Sequence, residues 1–388
     1  MNKRFALKLC LAGVAMAMLG ACGKEEAKPA PAAKPEAKPA ATQAAPAPAP
    51  AAKDPLKVAF VYVSPANEEG WSSQHDAARK SVEQKFGDKV KVTWVENIPE
   101  NADAERVIRD LAQQGNKLIF ATSFGYMNSV LKVAKEFPAV KFEHATGYKT
   151  SENVKNYTAR FYESRYLAGK LAGATTKKNV LGYVAAMPIP EVIQGINAFT
   201  MGALSVNPNI EVRVVWTNAW YDPGKEADAT KSLIGGGADV ITHHTNSTAV
   251  ASTCEEAKVP VISYHSAMKK AAPTMLKAGV VHLWEDYYTQ EVQKVMDGKW
   301  DNTPVWGGVK DHMVDLAAIA PDTPKAVVDD IKATYDRMAK GEFRPFDGPV
   351  VANDGKEMIP AGKTASDNDL QNMMYFVKGV AAKIPTQK

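Results

Sequence analysis

The chain has 388 residues, 45% of them hydrophobic and 23% charged, with a formal net charge of +4. This is a globular composition, long enough for two domains. Three positive units lie in residues 1–21 and two in 22–53, so residues 54–388 carry −1 and offer no basic footprint for nucleic acid.

At the amino terminus Lys3, Arg4 and Lys8 precede an apolar run over 9–19 and the small residues Gly20 and Ala21. That layout predicts a secretory signal peptide over 1–21, and the run is too short for a membrane span of about 20 residues. Leu19-Gly20-Ala21-Cys22 resembles the lipobox of bacterial lipoproteins, which implies a lipid on Cys22 and a chain anchored to a bacterial membrane, facing the periplasm. Gly23 stands where an inner-membrane retention signal would have Asp, so which membrane holds the anchor is open. Residues 22–53 are mostly Ala, Pro, Lys and Glu and read as a semi-rigid tether. Of the three cysteines, Cys10 and Cys22 belong to this region. Cys254 alone leaves the body without an internal disulfide or a cysteine-based zinc site, and it reads as a small buried residue.

From residue 56 short β-rich runs alternate with amphipathic stretches, the pattern of a parallel sheet covered by helices. Strands are expected at 57–63, 90–95, 118–122, 140–144, 180–185, 212–216, 240–243 and 261–264, with a later one ending near His282. Helices are expected at 73–86, 104–114, 127–136, 165–174, 192–206, 225–234 and 249–258, with a last one near 370–382. Gly235, Gly236 and Gly237 come after a helix and before a strand, so they stop a helix; a phosphate cradle needs the reverse order. No Walker loop, dinucleotide fingerprint, GxSxG or HExxH motif occurs.

Ligands of open α/β sheets bind at the carboxyl ends of the strands. The loops there carry Trp71, Phe124, Trp220 and Trp284, four large aromatics interleaved with polar residues. Such a set suits a flat heteroaromatic ligand, stacked between rings and oriented by its edge. His243 and His244 are adjacent on a strand and point to opposite faces, so no shared metal is expected. Glu163 is a candidate edge acceptor, or else a helix N-terminal charge; Glu285 beside Trp284 has the same two readings. No cofactor is expected.

Several stretches resemble the basic membrane protein family, the purine nucleoside receptor-like branch of solute-binding lipoproteins serving ABC transporters. They include LKVAFVYVSPANEEGWSSQHDAARKSVE, FATSFGYMNSVLKVAKEFPAVKFEHATGY, YESRYLAGKLAG, NAWYDPGKEADATKSLIGGGADVITHHTNS and WGGVKDHMVDLA. The resemblance implies a type I periplasmic binding protein fold, α/β, with two Rossmann-like lobes joined by three crossovers around a ligand cleft. It places the first lobe at 54–162 plus about 284–316 and the second at about 163–283 plus 317–388. It also implies a purine or purine nucleoside as ligand, a membrane permease as partner, and no chemistry on the ligand. Trp71, with Ser72 beside it, falls on the family's base-stacking motif, Phe124 and Gly125 on its FG motif, and Trp220 and Asn246 on second-lobe loops facing the cleft. Tyr264 and Trp284 complete the expected contacts. After Tyr264 the loop reads His265-Ser266-Ala267, without the acid common in nucleoside binders of the family, which tilts the expectation toward a free nucleobase such as adenine. A nucleoside remains the nearest alternative. A periplasmic nucleoside-processing enzyme or a surface receptor are the alternatives of other classes, although no spacing pairs a nucleophile with a base.

Overall fold

The computed structural model describes residues 54–385. The expected signal peptide, the tether and Cys22 lie outside the described residues. The body opens with β1 (Leu56–Val61), buried from Val58 onward as a central parallel strand requires. There follow α1 (Trp71–Phe86), β2 (Val90–Val95), α2 (Ala102–Gln113), β3 (Leu118–Ala121), α3 (Met127–Glu136), β4 (Lys141–Ala145) and β5 (Val154–Ala159). Next come α4 (Phe161–Thr175), β6 (Val180–Ala185), α5 (Pro190–Leu204), β7 (Glu211–Trp216), α6 (Pro223–Gly235), β8 (Val240–His244), α7 (Ala249–Ala257), β9 (Val261–His265) and β10 (Leu276–His282). The chain ends with α8 (Glu285–Met296), β11 (Val305–Gly307), β12 (Val314–Ala317), α9 (Lys325–Ala339), β13 (Val350–Val351), β14 (Glu357–Ile359) and α10 (Asp367–Gln371).

Two six-stranded sheets result, ordered β11-β5-β4-β3-β1-β2 and β12-β10-β9-β8-β6-β7, besides the small β13-β14 pair. All neighbours within the large sheets are parallel except β12, which runs against β10. This is the type I periplasmic binding protein fold, with two Rossmann-like lobes. The chain crosses between them three times: at Arg160, between β10 and α8, and between β11 and β12. The last crossing precedes Val314, so the stretch assigned above to the first lobe, up to residue 316, reaches into the second sheet. In each sheet the strand order reverses at one strand, β1 in the first and β6 in the second. The crevice outside the carboxyl ends of these strands is where such folds take ligands.

The eight strands located from sequence match observed ones within two residues at either end, while α4 begins four residues earlier than expected. The helix expected near 370–382 is not formed beyond Gln371. Leu370, Met373, Val377 and Val380 have helical spacing and are all buried. They reach the core from an irregular segment in which Val377 bridges Ala352 and Val380 bridges Val212. Asn197 of α5 fixes that segment, donating to the Tyr375 carbonyl at 2.8 Å and accepting from the Val377 N–H at 3.0 Å.

α4 and α5 approach closely because Gly169 and Gly202 face the partner helix. A methyl at either would run into the backbone carbonyl of Phe199 or of Tyr166. That contact fixes α5, whose first turn carries a group of the site.

Candidate functional site

At the carboxyl ends of the strands, between the two lobes, lies a narrow cavity. Trp71, Ser123, Phe124 and Thr146 line it from the first lobe, and Glu191, Trp220, His244, Asn246 and His265 from the second. No lysine or arginine is among them.

Trp71 is the first residue of α1, and its Nε1–H donates to the Thr122 carbonyl at 2.6 Å. Its ring meets His75, His265, His282 and Trp284 edge-on, with centroids 4.4 to 5.9 Å apart. Phe124 follows β3, with the Tyr148 ring 6.3 Å away. Ser123 donates to Glu100 at 2.6 Å, and its carbonyl lies 2.8 Å from His144 Nε2. In the second lobe the Trp220 carbonyl accepts from the Asn246 N–H at 2.8 Å, tying the loops after β7 and β8 together. His244 and His265 end β8 and β9. Both ring nitrogens of His265 and the Nδ1 of His244 have no hydrogen-bond partner among the described residues. His244 Nε2 lies 3.5 Å from a carboxyl oxygen of Glu191.

Burial decides the charge states. It pushes Glu191 up to about 8, with no cation beside it to oppose the shift. Burial also holds His244 and His265 well below the ordinary value of 6.5, helped by the positive charge of Arg165. The buried Arg165 donates to Thr242 Oγ1 at 3.1 Å and to the His243 carbonyl at 2.5 Å, and its guanidinium stacks 3.5 Å from the Tyr264 ring centroid. Around neutral pH the cavity thus has aromatic walls and uncharged polar edges.

Of the residues singled out from the sequence, Trp71, Phe124, Trp220 and Asn246 come together as cavity walls. The other five face elsewhere. Ser72 is 2.7 Å from Ser64, Oγ to Oγ, behind the wall. The Gly125 N–H donates to Glu100 at 2.7 Å. Glu163 accepts from the Val309 N–H at 2.7 Å and so braces the crossing between β11 and β12. Tyr264 lies under Arg165. Trp284 is fully buried behind Trp71, stacked on His75 at 5.1 Å. Ser123, Thr146, Glu191, His244 and His265 were not among the candidates, although His243 and His244 were expected to diverge. They do: the Tyr264 N–H donates to His243 Nε2 at 3.2 Å, in the core. Cys254 is buried as expected, and burial raises its thiol. Among the described residues no group of histidines, cysteines and acids could hold a metal, and no helix is long and apolar enough to cross a membrane.

The family model described as ABC transporter substrate-binding protein, PnrA-like, matches residues 56–341. The chain belongs to this Bmp family. Its members are solute-binding proteins that work with a membrane permease on the extracytoplasmic side. A purine-binding protein of Brucella abortus is 47% identical over 336 residues, covering 86% of this chain and 95% of the relative. A Haloferax volcanii protein, named provisionally as the ABC transporter glucose-binding protein TsgA13, is 34% identical over 331 residues, covering 85% of this chain and 82% of the relative. Among solved structures, a solute-binding protein of an ABC transporter system from Aeropyrum pernix matches with a TM-score of 0.64 at 17% identity. It covers 75% of this chain and 93% of that one, a likeness of fold.

Proposed function

We propose that this protein captures a purine and hands it to an ABC importer, with a nucleobase such as adenine preferred over its nucleoside. The aromatic walls from both lobes, joined to uncharged polar edges, carry this reading. A flat heteroaromatic ring stacks between such walls, and its edge bonds to amide, imidazole and carboxyl groups. The name of the Brucella relative agrees with this ligand class. We further propose that residues 1–21 are a signal peptide, and that lipid on Cys22 with the tether over 22–53 holds the body at a membrane, facing the periplasm.

The preference for a free base rests on the end of β9 and the loop after it, which supply His265 and Ser266 where an acid would suit ribose hydroxyls. Glu191 favours the second reading, a purine nucleoside, because it brings one carboxyl into the cavity from α5. Calorimetric titration with adenine, adenosine and glucose separates these readings. Adenine is expected to bind tightest, and tighter adenosine would select the second reading. Glucose binding without any purine response would refute both. Replacing Cys22 with Ala is expected to move the protein from the membrane to the soluble fraction; unchanged membrane association would refute the anchor.

A further inference from the structure

Glu191 has no part in holding the fold that its contacts reveal. It is the second residue of α5, after Pro190, and its carboxyl meets the cavity at the end of β6. Among the described residues its one charged or chargeable neighbour within ion-pair distance is His244, at the end of the adjoining strand β8. A carboxyl and an imidazole 3.5 Å apart present a donor and an acceptor side by side. Beyond them, His244 Nδ1 and both nitrogens of His265 are buried and unpartnered. Buried polar atoms without partners are expensive, so a ligand that bonds to them gains accordingly.

We infer that Glu191 and His244 act together as the edge reader of this cavity, pairing with an adjacent donor and acceptor on an uncharged purine and rejecting anionic ones. The inference rests on the purine reading above. Adenine offers such an edge, an amino group beside a ring nitrogen. Urate, an anion at neutral pH, would bring a charge into a slot whose lining has no lysine or arginine to receive it. The nearest cation, Arg165, is not part of the lining and is engaged by Thr242, the His243 carbonyl and the Tyr264 ring.

The pairing has a pH signature. The groups around Glu191 are His244 from β8, Tyr183 from β6 and Tyr264 from β9, with His265 of β9 in the same lining, while Arg165 of α4 acts on His244 and Tyr264. From the first lobe come the uncharged Trp71, Ser123, Phe124 and Thr146, with His144 behind Ser123. Burial lowers the three imidazoles, His144 to about 4, and raises the two phenols, Tyr183 to about 12. Glu191, raised from an ordinary 4.5 to about 8, is then the group that changes charge near neutrality. An acid whose value is raised in the closed site takes up a proton on closure, so closure weakens as pH rises.

Calorimetry of the full-length protein with adenine and with urate, between about pH 6 and pH 9, tests this. Adenine affinity is expected to fall about tenfold or more across that range, and urate to bind at least about tenfold more weakly than adenine at neutral pH. In Glu191→Gln the adenine profile is expected to be flat, because the amide keeps a donor and an acceptor and takes up no proton on closure. A flat profile in the parent protein, a profile unchanged by Glu191→Gln, or urate bound as tightly as adenine would overturn the inference. If the variant does not fold, judged by circular dichroism, the parent's pH profile and urate comparison decide alone. No response to any purine at any pH would sink the purine reading, and the edge reader with it.

Discussion

Gly70, at the start of α1, packs against the second lobe, and replacing it with Ala should hinder closure. A methyl on Gly70 would lie well inside 3.0 Å of the Asn246 backbone carbonyl, closer than real Cβ atoms come. The obstacle cannot turn aside, because the Asn246 N–H is bonded to the Trp220 carbonyl. The lobes must instead part by several tenths of an ångström. Two bonds beside Gly70 join the same surfaces: Tyr221 donates to Glu68 at 3.0 Å, and the Lys270 N–H donates to Glu69 at 3.2 Å. Stretched by that amount, they approach or pass the limit of useful hydrogen-bond length. Both are partly solvated, so their loss is worth about 0.5 to 1 kcal/mol each, or about 1 to 2 kcal/mol together. Trp71, Asn246 and His265 are buried here, so a ligand reaches them only after the lobes part, and this free energy comes directly out of binding. Gly70→Ala is therefore expected to weaken adenine binding roughly 5- to 30-fold by calorimetry. The backbone at Gly70 has φ +157°, a region that glycine enters far more readily than other residues, so Ala there also strains the folded chain by about 1 to 3 kcal/mol and lowers the melting temperature without ligand. Affinity within threefold of the parent would refute the reasoning.

Trp71→Ala should weaken purine binding by about 1 to 3 kcal/mol, the usual worth of an aromatic ring stacked on a base. Trp71→Phe, which keeps a smaller ring and loses the bond to Thr122, should bind more tightly than Trp71→Ala by the same titration. Lys155 is buried between Glu291, at 2.6 Å, and Glu143, at 4.0 Å. Lys155→Met strands Glu291 with only Lys294 as partner, and a loss of about 3 kcal/mol in chemical denaturation is expected. Glu143 is held above the ordinary carboxyl range by burial and then by Glu291, despite Lys155. Because its folded-state value is raised, its contribution to stability declines as pH rises above the ordinary carboxyl range. Glu143→Gln should accordingly reduce the loss of stability on going from acid to alkaline pH, read as melting temperature against pH.

The layout of the fold was readable because parallel strands buried on both faces are continuous apolar runs, and the helices between them are amphipathic. Where burial departs from that pattern the signal fails. β5 carries Lys155 and Asn156 in its middle, both buried, because Lys155 pairs with Glu291 from α8, more than a hundred residues away. β11 and β12 have three and four residues and lie at sheet edges, too short to show an alternation. The segment after α10 misleads in the opposite sense. Its apolar residues repeat as on a helix, yet each is buried through a separate tertiary contact, and Gly379, at φ +96°, adopts a left-handed conformation within it.

At the site, aromatic size was the readable quantity and direction was not. Trp71, Phe124, Trp220 and Trp284 all follow strands, and what separates the three that reach the cavity from the fourth is depth. Trp284 precedes α8, which packs on α1, so its ring stacks on His75 and supports Trp71 from behind. The polar half follows different rules. Alternation along β8 sends His243 to the core and His244 to the cavity, a divergence foreseeable once the strand is known, although which face is the cleft is fixed only by the sheet. Glu191 carried a local signal, an acid in the first turn after a proline, but that signal predicts a helix start and nothing about a ligand. Its place in the cavity comes from the close packing of α5 on α4 through Gly169 and Gly202. The loop after β9 has no acid. The one carboxyl that lines the cavity arrives instead on a helix, where desolvation keeps it protonated near neutrality and the neighbouring imidazole uncharged, so the polar edge can serve as both donor and acceptor.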